Sequence, residues 1–150
     1  MSLFDRLARL FGGDQPAQGP PDERALQLAS AVLLFQVAMA DHQLEPAELE
    51  RLRQVLATEF QLDETALAEL VEAAEDVAEE GISLDRELDL LNRRLDSAAK
   101  FRVMVGLWQI AFADEQLHHY EEHLIRRLAD LLHVPHSEFI RAKHVALNRR

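Results

Sequence analysis

Two Asp and Glu pairs stand at one internal spacing: Asp41 precedes Glu48 by seven residues, and Asp114 precedes Glu121 by seven. Carboxylates are hard oxygen donors, so four of them brought together would suit Ca²⁺, Mg²⁺ or Mn²⁺ better than a soft metal. Both pairs belong to a longer repetition. Ala38-Met39-Ala40-Asp41-His42-Gln43-Leu44 returns as Ala111-Phe112-Ala113-Asp114-Glu115-Gln116-Leu117 at a constant offset of 73 residues. The same offset pairs Phe35 with Trp108 and Gln36 with Gln109 upstream, and Leu52 with Ile125 and Arg53 with Arg126 downstream. Apolar periodicity would align any two amphipathic helices, so it is the matched polar residues that argue for a duplicated unit.

The four acids lie on apolar faces. Asp41 follows Leu34, Val37 and Ala38 at helical spacing, and Asp114 follows Leu107, Ile110 and Ala111 in the same way. Glu48 stands four residues before Leu52 and seven before Val55, and Glu121 stands likewise before Ile125 and Leu128. Such spacing points all four toward the core side of their helices. An Asp in the last helical turn opposes the macrodipole at a cost of about 0.3–1 kcal/mol, and an unpartnered buried charge costs more. Backbone N–H groups, an Arg or a bound cation must compensate them.

Two chemistries compete for these residues. An acid, an apolar residue three later and a Glu seven later form the second half of a calcium-binding EF-hand loop. The first half is missing, because Val37 and Met39 occupy its ligand positions and His42 or Glu115 its turn glycine. A site shared between two half-loops remains open. In the competing arrangement Glu48 and Glu121 turn back onto free backbone N–H groups as capping-box residues, and the aspartates accept hydrogen bonds from the turns that follow them.

His119, Glu122 and His123 match H-x-x-E-H, an inverted zinc-peptidase motif. Only 27 residues follow His123, and the first repeat carries Pro46-Ala47-Glu48-Leu49-Glu50 at that place. The histidines are therefore read as surface residues able to form no more than a weak Zn²⁺ or Ni²⁺ site. No Ser, Cys or Gly-rich loop stands where a nucleophile or phosphate cradle needs one, and the expectation is a protein without enzymatic activity.

The elements that must position these residues read as helices throughout. Ala, Leu, Glu and Arg abound, while Gly and Pro number five each. Helices are expected at about 22–40, 46–60, 63–80, 84–95, 97–113, 119–132 and 136–147. Pro46 starts the second, Asp63 caps the third and Gly81 closes it, Ser97 caps the fifth, and Pro135 separates the last two. The fold class is all-α: a compact bundle of about seven helices with an internal pseudo-two-fold repeat, each unit a helix hairpin. Residues 1–21 form a separate segment, an amphipathic helix over 2–11 (SLFDRLARLF) followed by a Gly/Pro-rich linker, and residues 22–150 form the domain. Residues 2–11 could touch a membrane surface weakly, meet a partner or dock on their own domain.

Composition bounds the partners. The chain has no cysteine, which excludes disulfides and thiolate metal sites. Net charge is −11, distributed as −13 over residues 41–89 and +3 over residues 90–150. The acidic middle argues against nucleic-acid binding and fits a cation, a partner protein presenting a basic surface, or simply a solvated face. No apolar run approaches membrane-spanning length and no secretory leader is recognisable, so a soluble intracellular protein is expected.

The segments AMADHQLEPAELERL and AFADEQLHHYEEHLIRRLADLL, with LWQIA before the second, resemble the TerB-like family of tellurite-resistance-associated proteins. The likeness spans roughly residues 25–147. It implies a compact helical domain with an internal pseudo-repeat and a bacterial, cytoplasmic role in chemical stress, in some members at the inner membrane face. It also implies an acidic cluster for a divalent cation, and its acidic positions fall on Asp41, Glu48, Asp114 and Glu121. The family commonly has Gly after each Asp, where this chain has His42 and Glu115. The reading is thus a stress-associated helical module binding a divalent cation, with a pure protein interaction domain as the alternative.

Overall fold

The computed structural model describes residues 21–40, 45–80, 83–113 and 119–149. The expected helix over residues 2–11 and most of its linker lie outside them. Seven helices follow in order: α1 (Pro21–Ala38), α2 (Pro46–Phe60), α3 (Glu64–Glu79), α4 (Asp85–Arg94), α5 (Ser97–Ala111), α6 (His119–Leu131) and α7 (His136–Asn148). Each end falls within two residues of the position expected from the sequence.

Local chemistry explains the boundaries. Pro46 opens α2 behind an extended Glu45, as a residue lacking an N–H is favoured in a first turn. Asp63 caps α3, its Oδ1 accepting from the Ala66 N–H at 2.8 Å. The fifth helix corrects an expectation. Its cap is Asp96, not Ser97, with Asp96 Oδ1 accepting from the Ala99 N–H at 2.8 Å. Either residue type can cap, but Asp96 holds the extended backbone a cap requires, whereas Ser97 is already helical. The proposed stop at Gly81 lies outside the described residues.

Helices α1 and α5 form the centre. Leu28 to Phe35 are all buried, and so are Met104 to Trp108. A helix buried on most of its surface shows little amphipathic contrast. The two pack against each other, and each also packs against both α2 and α6. This reciprocity is what the duplicated sequence demands.

The duplication extends further than the sequence revealed. Helix α3 packs on α1 and α7 packs on α5, so each unit has three helices and not two. Helix α2 ends with Gln61 in the left-handed conformation (φ 54°) and a Leu62 N–H to Ala57 carbonyl bond of 3.1 Å. Helix α6 ends the same way, with His133 at φ 60° and a Val134 N–H to Ala129 carbonyl bond of 2.8 Å. Both are six-to-one closures of the Schellman type. Their offset is 72, so up to this point the second unit is one residue shorter than the first. At that offset Leu70 and Ala74 of α3 correspond to Ala142 and Ala146 of α7, and all four are buried. Helix α4 lies between the units, packs on α1, and is tied to the end of α6 by Asn92 Nδ2 donating to the Leu131 carbonyl at 2.9 Å.

Large side chains fill the second unit. Trp108 stacks on Phe112 with ring centres 5.6 Å apart, meets Phe139 of α7 at 5.2 Å, and donates its indole N–H to the Phe139 carbonyl at 3.3 Å. All three rings are buried. Gly106 fixes the approach of the helices around them. A Cβ there would stand 3.0 Å from Val55 Cγ1 of α2 and 3.5 Å from Leu34 Cδ2 of α1. A large side chain at this crossing must push two helices apart, and overpacking of this kind costs about 1–3 kcal/mol or more. Gly106→Leu is expected to lose unfolding free energy of that order, seen as a lower urea midpoint by circular dichroism, while Gly106→Ala changes stability little, because its helix-propensity gain of about 1 kcal/mol offsets a small displacement of Val55.

Candidate functional site

The two hairpins present their acids in matching frames. Helices α1 and α5 end at Ala38 and Ala111, and α2 and α6 begin at Pro46 and His119, each pair 73 residues apart. The chain also leaves both central helices by the same bonds. Met39 N–H donates to the Phe35 carbonyl at 2.9 Å and Ala40 N–H to Val37 at 3.2 Å. Their counterparts are Phe112 to Trp108 at 3.0 Å and Ala113 to Ile110 at 3.1 Å. Asp41 and Asp114 come directly after these turns and lie outside the described residues.

Glu48 and Glu121 are each the third residue of their helix, and they are 0% and 1% exposed. A carboxylate is stabilised there by free backbone N–H groups and the positive end of the helix dipole. Position alone does not bury it, because Glu138, the third residue of α7, is only half-buried. Burial follows from the neighbours on the same face: Leu52 and Leu56 behind Glu48, and Ile125 and Leu128 behind Glu121, all within 1% of full burial. The sequence spacing thus located two buried acids at equivalent places. Two deeply buried carboxylates are oxygen donors of the kind a hard divalent cation takes. Among the described residues no group of three or more His, Asp or Glu side chains is placed to hold a metal ion. A site on these glutamates would therefore have to draw on the aspartate turns.

The histidine tract has a different environment. His123 is exposed, and the side chain of His119 lies outside the described residues. Glu122, the acid of that motif, faces Lys143 of α7 at 3.9 Å, and Lys143 lies over Trp108 at 5.2 Å from the ring centre.

A third buried acid escaped the sequence reading. Glu87, in the first turn of α4, is 5% exposed, and its Oε2 has no hydrogen-bond partner among the described residues. It stands three residues after Leu84 and four before Leu91, the same spacing argument that located the other acids, but it has no counterpart in the repeat to draw attention to it. Burial raises its pKa above the ordinary carboxylate value. A bond from its own backbone N–H and the charge of Arg86 oppose that rise, and Asp85 adds to it.

A family model described as tellurite resistance protein TerB matches residues 27–144. That span contains α2 to α6 whole and most of α1 and α7. Neither the curated proteins nor the solved structures gave a match. Among the described residues, no helix is long and apolar enough to cross a membrane.

The raised pKa of Glu87 fixes the sign of a pH effect. The folded state holds this proton more tightly than the unfolded chain, so the ionised form costs stability above the folded pKa. That cost fades as pH falls toward the unfolded value. Glu87→Gln, which keeps the shape and removes the charge, is expected to raise the melting temperature at pH 7. Its advantage over wild type should shrink to nothing near pH 4, about where an unperturbed Glu titrates. A scanning calorimetry series between these limits checks both sign and window.

Proposed function

Because the chain belongs to the TerB family of tellurite-resistance proteins, we propose that it is a non-enzymatic, tellurite-resistance-like module that binds a divalent cation through Asp41, Glu48, Asp114 and Glu121. The observation that carries this reading is the burial of Glu48 and Glu121 at equivalent positions of the two units. Each stands at the third position of a matching helix, so the two units carry one oxygen donor apiece in the same frame, next to the turns that carry the aspartates. Four carboxylates without sulfur or imidazole would favour Ca²⁺, Mg²⁺ or Mn²⁺. On this reading the module works in the bacterial cytoplasm during chemical stress, with cation binding setting the geometry of both aspartate turns.

One observation favours a second reading, that of an interaction domain. Glu64, Glu69, Glu72, Asp76 and Glu79 of α3 are exposed, and no Lys or Arg occurs between Arg53 and Arg86. Such a face would recruit a basic protein surface through charge complementarity and fast association.

Calorimetric titration of the metal-free protein with Ca²⁺, Mg²⁺ and Mn²⁺ separates the two. The cation reading expects saturable binding that Asp114→Asn or Glu121→Gln weakens, together with loss of the ion's thermal stabilisation. That stabilisation is worth about 2.7 kcal/mol when free ion is a hundred times its Kd. The paired change of His119→Ala and His123→Ala should leave hard-ion binding intact. Identical curves for wild type and Asp114→Asn would assign the acids to caps and turns, leaving the interaction reading.

A further inference from the structure

The first turns of α5 carry charge of the opposite sign. Phe101 and Arg102 are shared by two clefts, of about 480 Å³ on the side of α2 and about 430 Å³ on the side where α7 begins. The first cleft adds Arg51, Glu59 and Arg149; the second adds Lys100, Glu138 and Arg141. Five bases thus face two acids, in a protein whose net charge is −11.

Both acids are used in one way. Glu59 Oε1 accepts from Arg102 Nε at 2.7 Å, and Glu138 Oε2 accepts from Arg141 Nε at 2.7 Å. The Arg141 guanidinium carbon also lies 3.7 Å from the centre of the Phe101 ring, a cation–π contact that holds the side chain flat. Each guanidinium is therefore oriented through Nε, and the Nη nitrogens of both have no hydrogen-bond partner among the described residues. Exposed ion pairs contribute little to stability, so the arrangement is poorly explained as a fold-stabilising device. It does preorganise two planar donor forks of the kind that match phosphate oxygens.

The geometry points to an anion site on this face that takes an oligophosphate, with Arg102 at the junction of the clefts and Lys100 and Arg141 beside it. A chain of linked phosphates carries several charges over a short length, as two clefts meeting at one arginine require. Each volume suits a small molecule. The same chemistry is found in a soluble di- or triphosphate and in a phosphorylated lipid headgroup. The site is independent of the carboxylates assigned to a cation.

Titration of the full-length protein with sodium tripolyphosphate in buffer containing EDTA tests the site without metal. Saturable binding is expected, and Arg102→Gln and Arg141→Gln should each weaken it about tenfold, as for loss of a charged hydrogen bond. Arg102→Lys separates a built site from diffuse attraction, because it keeps the charge and loses the fork. It should bind several-fold more weakly than wild type. Arg127→Gln, an exposed change outside both clefts, should bind as wild type does. Sedimentation with vesicles containing phosphatidylinositol bisphosphate then identifies the source. Capture that tripolyphosphate reverses points to a headgroup, and no capture points to a soluble ligand. Absence of saturable binding, or equal losses in Arg127→Gln and Arg102→Gln, overturns the proposal.

Discussion

The close contact of α1 with α5 is the constraint on which the other elements depend. Over Leu28–Phe35 and Met104–Trp108 the two helices are buried on every side and leave no polar face, so each must be covered there by several amphipathic neighbours. Helices α2 and α6 each cover parts of both, while α3 covers α1 and α7 covers α5. Gly106 sets how near α2 may come at the point where Leu34 and Val55 meet it. Once that spacing is fixed, the turns leaving α1 and α5 are fixed as well, and with them the starts of α2 and α6. Glu48 and Glu121 are buried as a result of this packing. Both acids stand on the face that also presents their helix's aliphatic residues to the centre.

Much of this was legible in the sequence, for reasons that can be named. Helix ends followed Pro46, Asp63 and Pro135, residues whose backbone or side-chain chemistry acts locally. The 73-residue offset was visible because Asp, Gln and Glu recur within it. Its continuation was hidden because the second unit is one residue shorter than the first by the closure after α6, which moves α7 to an offset of 72 and breaks any ungapped comparison. Only the equivalent closures at Gln61 and His133 reveal it, and a left-handed residue that is not glycine leaves little trace in sequence. The choice between Ser97 and Asp96 as cap was a choice between two good acceptors one residue apart, which only backbone conformation decides.

The candidate site was legible to a different degree. Helical spacing found Glu48 and Glu121 because burial is a property of a face, and faces are periodic. The same criterion would have found Glu87 had it been applied outside the repeat. Whether the aspartate turns bring their oxygens to the glutamates depends on loop geometry, and loops carry no period. The clefts beside Phe101 were equally invisible, since Arg51, Arg102, Arg141 and Arg149 come from three helices and a terminus and form no motif in the chain.

Duplication has preserved the interior while the exterior diverged. Helices α3 and α7 occupy equivalent places and bury equivalent positions, yet α3 carries six acids and no Lys or Arg, whereas α7 carries one acid with one Arg and one Lys. Core positions are held by packing, where one methylene is felt, and exposed positions are nearly free of that constraint. A duplicated unit can therefore change the charge of its outer face without disturbing the fold. Because α3 packs on α1 and α7 on α5, the two outer faces belong to opposite units of the bundle. On the proposals made above, the acidic face of α3 suits a basic protein surface and the clefts beside the start of α7 suit an anion, so divergence after duplication would give one small domain two faces of opposite sign.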